Sequence, residues 1–111
     1  MPFVFSYGSN LDEAQMRARC PSAQRVGRAR LAHHRLTFVG HSPRWGGAVA
    51  TVERSLGAEV LGALDFVSEQ DLRALDAWEG GYRRVRREVL LHHGQRRRPF
   101  VYVVEGRPEG S

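Results

Sequence analysis

Recurrent turn signals constrain this chain more than any other feature of its sequence. Tyr7-Gly8-Ser9-Asn10, His41-Ser42-Pro43, Ser55-Leu56-Gly57, Gly80-Gly81 and His93-Gly94 punctuate it. The stretches between them have strand character. Phe3-Val4-Phe5 reads as a buried strand. Leu31 to Val39, Ala48 to Val52 and Val60 to Val67 read as three more. Tyr82 to Leu91 alternates, with Val85, Val89 and Leu91 on one face. Phe100 to Val104 sets Val101 and Val103 opposite Phe100, Tyr102 and Val104. The His93-Gly94 turn predicts a hairpin between these last two strands.

Two helices interrupt the strands. One is expected from about Leu11 to Arg19, capped by Asn10, with Glu13 completing a capping box and Pro21 stopping it. The other is expected from about Glu69 to Trp78, with Ser68 as its cap and Gly80-Gly81 ending it. About six strands and two helices without βαβ alternation predict an α+β fold. The expected form is a small, mixed, mostly antiparallel β-barrel with two flanking helices. A length of 111 residues suits one domain.

Composition narrows the chemistry. All 17 basic residues are Arg, with no Lys. That excludes a Schiff-base lysine and the lysine of a phosphate-binding P-loop. Cys20 is the single cysteine, so no internal disulfide forms and no cysteine-rich metal site exists. No basic, apolar leader opens the sequence, and no apolar run approaches a membrane span. With one thiol, a cytoplasmic location is expected.

Tyr7-Gly8-Ser9-Asn10-Leu11 lies between a strand and a helix start. Gly8 is expected to let the backbone turn with unusual dihedrals. The amides of Ser9, Asn10 and Leu11 then face outward at a helix N-terminus, which attracts a carboxylate or oxyanion. The alternative is a plain strand-to-helix turn. Glu79 shares a helix face with Leu72 and Leu75 at i, i+3, i+7 spacing. In a core-facing position, burial and the partially negative helix end both favour its protonated form, as general acid/base work requires. The alternative is a frayed helix end with Glu79 in water.

His33-His34, His41 and His92-His93 lack chelating spacing, since neighbours on a strand point to opposite faces, so no metal site is expected. Ser9 and Ser42 lack the setting of a hydrolase nucleophile. Cys20 reads as packing. Arg83, Arg84, Arg86, Arg87, Arg96, Arg97 and Arg98 place seven cations within sixteen residues. Across a hairpin they form either a basic patch for phosphates or a solvated face whose stems cover apolar surface. No aromatics are interleaved for base stacking.

Phe5-Ser6-Tyr7-Gly8-Ser9-Asn10-Leu11 resembles the signature of the gamma-glutamylcyclotransferase-like family. Trp45 to Val52, Val60 to Leu64, and Leu75 to Gly80 with Tyr82-Arg83 are similar too, in the family's order. The resemblance runs from about Phe3 to Val104. It implies a compact mixed barrel with flanking helices. It also implies an enzyme that cyclises a γ-glutamyl group to 5-oxoproline and releases an amine or amino acid. Tyr7, Gly8, Ser9, Asn10 and Leu11 match the loop that binds the glutamyl moiety through backbone amides. Glu79 matches the family's catalytic glutamate, and Tyr82 a tyrosine near it. No cofactor or metal is implied, because the substrate's own amine is the nucleophile.

Three departures stand out. The chain ends seven residues after Val104, whereas larger members continue into further helices. A more open pocket, or one completed by a second copy in a homodimer, is therefore expected. The link from Glu79 to Tyr82 is only Gly80-Gly81. Asn10 also separates this loop from the Tyr-Gly-Ser-Leu of a sister group acting on glutathione. Two other readings compete: a catalytically silent member of the fold that binds a metabolite or protein, and a nucleic-acid-binding module built on the Arg hairpin. A small-molecule γ-glutamyl substrate is the expected partner, and neither membrane nor nucleic acid is.

Overall fold

The computed structural model describes residues 2–8, 11–42 and 47–104; from 40 to 49 only the backbone of 40–42 and 47–49 is described. The described elements are β1 (Phe3–Ser6), α1 (Glu13–Arg19), β2 (Gln24–Ser42), β3 (Gly47–Phe66), α2 (Glu69–Trp78), β4 (Arg83–Arg86), β5 (Val89–Leu91), β6 (Arg96–Arg97) and β7 (Phe100–Val103). The strands form one sheet in the order β4-β7-β1-β3-β2-β5-β6. Only the β1–β7 pairing is parallel; the other five are antiparallel. The sheet is a curled half-barrel. The α+β reading holds, with seven strands where six were expected.

Alternation along the strands sorts the core into two halves. Phe5, Val101 and Val103 face the inside of the curl with Leu31, Leu64, Val89 and Leu91. Val4 and Tyr102 face the other way, onto Met16, Cys20, Leu72 and Leu75 of the helical layer. Both helices therefore cover the outer face of β1 and β7.

Three expectations about the strands change in the structure. Ser55-Leu56-Gly57 is not a turn between two strands: β2 and β3 form one long hairpin, and residues 55–58 lie opposite His33 alone. The excess is absorbed as a bulge. His33 has φ 59° and Gly57 φ 85°, and the Gly57 amide donates to His33 Nδ1 at 3.2 Å. The predicted strand from Tyr82 to Leu91 breaks at Arg87-Glu88 into β4 and β5, which join different partners. Val85, Val89 and Leu91 still share the inner core, because the chain keeps its face while crossing. The hairpin at His93-Gly94 accordingly joins β5 to β6, not to β7.

The first helix starts at Glu13, not Leu11, and its cap is Asp12. The Asp12 carboxylate accepts from the amides of Ala14 at 2.9 Å and Gln15 at 3.3 Å. The second helix runs as predicted from Glu69 to Trp78, and Ser68 Oγ accepts from the Asp71 amide at 3.0 Å.

Candidate functional site

The end of β1 delivers Tyr7 and Gly8 to a turn closed by a 2.9 Å bond from the Leu11 amide to the Gly8 carbonyl. Leu11 is therefore not a free donor, contrary to the expectation for this loop. Ser9 and Asn10 lie outside the described residues. Gly8 is not among the glycines with positive φ, and a Cβ added there meets nothing within 4 Å. Neither backbone strain nor internal packing requires glycine at this position. What a missing side chain provides there is open space beside the main chain.

Arg25 fixes the far end of the loop. Its Nε and Nη2 donate to the two oxygens of Asp65 at 3.0 and 3.2 Å, and its Nη1 donates to the Leu11 carbonyl at 2.8 Å. Asp65 is 1% exposed. A buried carboxylate is tolerated only when paired in this way, so the ion pair serves as an anchor for the loop. Spacing did not single out Arg25 or Asp65. The available signal was a lone acid inside the otherwise apolar Val60 to Val67.

Glu79 ends α2. Its amide still donates to Leu75 at 2.9 Å, and its carbonyl accepts from the Tyr82 amide at 2.9 Å. Leu72 and Leu75 are buried while Glu79 is half-buried, so the residue is neither in the core nor on a frayed end. Gly81, at φ 92°, turns the chain back immediately afterwards. No basic residue occupies the last turn of α2.

Three tyrosines surround this helix end, and the charge of Glu79 reaches each of them. Burial pushes the Tyr82 phenol up first, and Glu79 adds to it. Tyr7 is raised by burial against a smaller opposing bond from Thr51, with Tyr82 and Glu79 adding to the rise. Tyr102 is raised by burial and then by Asp76. All three phenols stay protonated at neutral pH and donate inward. Tyr7 Oη donates to the Tyr102 carbonyl at 2.5 Å, and Tyr82 Oη to the Ala50 carbonyl at 2.7 Å. Tyr102 Oη donates to Asp76 Oδ1 at 2.6 Å. Because the Tyr7 proton is committed, the Thr51 hydroxyl must donate to Tyr7 while accepting from the Val104 amide at 2.9 Å. Their hydroxyls are committed to these bonds and are not acids in waiting.

The structure thus gathers Tyr7, Tyr82 and Glu79, which stand 75 and 72 residues or three apart in sequence. It adds Thr51, Tyr102 and Asp76, which sequence reasoning missed. Asp76 sits one turn before Glu79 and also pairs with Arg84 Nη1 at 3.6 Å. Its i, i+3 spacing from Glu79 was the signal available.

Other candidates fall elsewhere. His92 and His93 lie in the β5–β6 turn, so their rings stack at 4.9 Å instead of facing apart as on a strand. His34 is buried with Nδ1 2.9 Å from the Ala32 carbonyl. The His41 side chain lies outside the described residues, as does that of Ser42. Among the described residues no group of three or more His, Cys, Asp or Glu is placed to hold a metal, and no helix is long and apolar enough to cross a membrane. Cys20 is fully buried, which pushes its thiol up to about 11. The seven arginines do not line one hairpin: β4 and β6 lie at opposite edges of the sheet.

Comparison with known proteins adds an independent line. A family model described as gamma-glutamyl cyclotransferase, AIG2-like, matches residues 4–111. The gamma-glutamylcyclotransferases of Mus musculus and Homo sapiens are each 38% identical over 80 residues, covering 68% of this chain and 43% of theirs. The chain thus spans less than half the length of these curated relatives. A solved structure of a gamma-glutamyl cyclotransferase superposes with TM-score 0.85 at 29% identity, over 95% of this chain and 67% of the other.

Proposed function

Because the chain belongs to the gamma-glutamyl cyclotransferase, AIG2-like family, we propose that it converts a γ-glutamyl amine or γ-glutamyl amino acid to 5-oxoproline and the free amine. Glu79 is the general acid/base in this reading, and the loop from Tyr7 to Leu11 with Tyr82 holds the glutamyl group. The observation that carries it is the setting of Glu79. A half-buried carboxylate stands at the end of α2 with its charge reaching Tyr7 and Tyr82, and open space lies beside Gly8.

The substrate's α-amine attacks its own γ-carbonyl. A carbon–nitrogen bond closes the five-membered lactam, and the bond to the leaving amine breaks. Glu79 takes the proton from the attacking amine and returns it to the leaving nitrogen. The attack is intramolecular, so holding amine and carbonyl together supplies much of the rate. The tetrahedral oxyanion needs main-chain donors. With the Leu11 amide engaged by Gly8, the proposal assigns that task to Ser9 and Asn10. No enzyme nucleophile enters the sequence of bonds, which suits a chain without Lys and with its one thiol held protonated.

Replacing Glu79 by Gln keeps volume and removes the basic oxygen. Turnover to 5-oxoproline across a panel of γ-glutamyl amines and dipeptides is expected to fall by about a hundredfold or more, with an unchanged melting temperature. Equal rates in the two proteins would remove Glu79 from the mechanism. The engaged Leu11 amide favours one second reading, a member that binds γ-glutamyl compounds without turning them over. Ligand binding by calorimetry with no product from the wild type would select it.

A further inference from the structure

A groove of about 800 Å³ runs beside the candidate site, lined by the arms of β2 and β3 and by the links flanking β4 and β7. That volume is in the range of small-molecule sites. Thr51 and Val104 line it, and the same Thr51 holds the Tyr7 phenol. Groove and site therefore share a wall.

The groove's charge is one-sided. Arg54, Arg86, Arg87 and Arg98 line it, and among the described residues none of the four has a carboxylate partner. Arg86 and Arg87 each donate to a main-chain carbonyl through one nitrogen, which leaves most of their five donors unused. Arg86 also lies 4.2 Å over the Phe100 ring. The two glutamates in the lining, Glu53 and Glu88, are drawn off by Arg35 and Arg96, which do not line the groove. Four arginines thus border one concavity, and its two glutamates are each paired with an arginine outside it.

We propose that this groove is an anion-binding subsite, and that its occupant is the leaving-group half of the γ-glutamyl substrate, an amine carrying a carboxylate or phosphate. The inference rests on the proposed reaction for its occupant and on the arginines alone for its charge. Planar guanidinium groups meet either anion in paired hydrogen bonds. The residues come from β3, the end of β4 and two interstrand links, which the curl of the sheet brings together. This explains why a run of arginines in sequence looked like a hairpin patch.

The test compares the intact wild type with an Arg54→Gln/Arg98→Gln variant. An Arg28→Gln/Arg73→Gln variant, which removes the same charge outside the groove, is the control. Kinetics are measured on γ-glutamyl-aspartate, γ-glutamyl-phosphoethanolamine and γ-glutamyl-propylamine, and pyrophosphate binding is measured by calorimetry at low and moderate salt. The wild type is expected to prefer an anionic leaving group over propylamine. The groove variant loses that preference at least about tenfold in kcat/KM, and the control keeps it. Which of the two anionic substrates leads identifies the anion. Pyrophosphate binding lost in the groove variant, with no turnover of any substrate, upholds the anion site and overturns the reaction. Turnover indifferent to leaving-group charge, with no pyrophosphate binding, overturns the anion site and leaves the reaction standing.

Discussion

Gly62 is where β3 meets the base of the Tyr7 loop. A Cβ there would stand 2.3 Å from the Ser6 carbonyl and 2.6 Å from the Phe5 ring. The nearest atom is backbone, so β1 itself must shift. Gly62→Ala is expected to cost about 2–3 kcal/mol by urea denaturation, and to lower kcat/KM further, since the displaced Ser6 carries Tyr7 with it. Wild-type stability in this variant would show that β1 has slack. Arg25 and Asp65 act at the same scale. Arg25→Ala strands a carboxylate that is almost wholly buried, at a cost of about 3 kcal/mol. An Arg25→Leu/Asp65→Leu pair should recover part of that loss in a double-mutant cycle. Asp65 was visible in sequence as one acid among apolar residues. Its partner was not, because the two are 40 positions apart and one sequence carries no register. Glu79 was visible for the opposite reason: its relation to Leu72 and Leu75 is local and periodic.

Helix α2 is tied to the turn after α1 by a closed set of hydrogen bonds. Ser68 Oγ accepts from the Asp71 amide. Asp71 Oδ2 accepts from the Ser22 amide at 2.8 Å, and Ser22 Oγ accepts from the Ser68 amide at 2.9 Å. The bonds from Ser22 hold the Asp71 carboxyl below its ordinary value of 3.8. A carboxyl that is more acidic in the folded state stabilises fully above its unfolded value and loses that contribution as pH falls through the folded one. Melting temperature should therefore keep dropping below pH 3.8, and Asp71→Asn should flatten that part of the curve. An unaltered acid limb in the variant would place the loss elsewhere. The ends of α2 were legible because Ser68 and Gly80-Gly81 are unambiguous signals. The start of α1 was not, since Asn10 and Asp12 both satisfy the cap rule. The β2–β3 hairpin was missed because its bulge carries Ser55-Leu56-Gly57, which has the composition of a turn.

The curl of the whole sheet is set by two links of two residues each. Arg87-Glu88 joins edge strand β4 to β5, and Arg98-Pro99 joins the opposite edge strand β6 to β7. Two linking residues add only about 7 Å of extended chain, so these distant parts of the strand order must come close, and a flat sheet is impossible. The links bond to each other: the Arg87 amide donates to the Pro99 carbonyl at 3.2 Å, and the Pro99 ring is fully buried. This closure also assembles the arginine groove, so shape and charge have one origin. Strand-like stretches could be counted in the sequence, but the long-range pairing that curls them depends on where a two-residue link falls. Pro99→Ala removes buried ring surface and frees the backbone in the unfolded chain, for an expected loss of about 1–2 kcal/mol. Because each link bridges both halves, amide hydrogen exchange should quicken by a similar factor in the β4–β7 pair and in the β5–β6 hairpin. Faster exchange confined to one of them would mean that the halves open independently and that the links do not hold the curl.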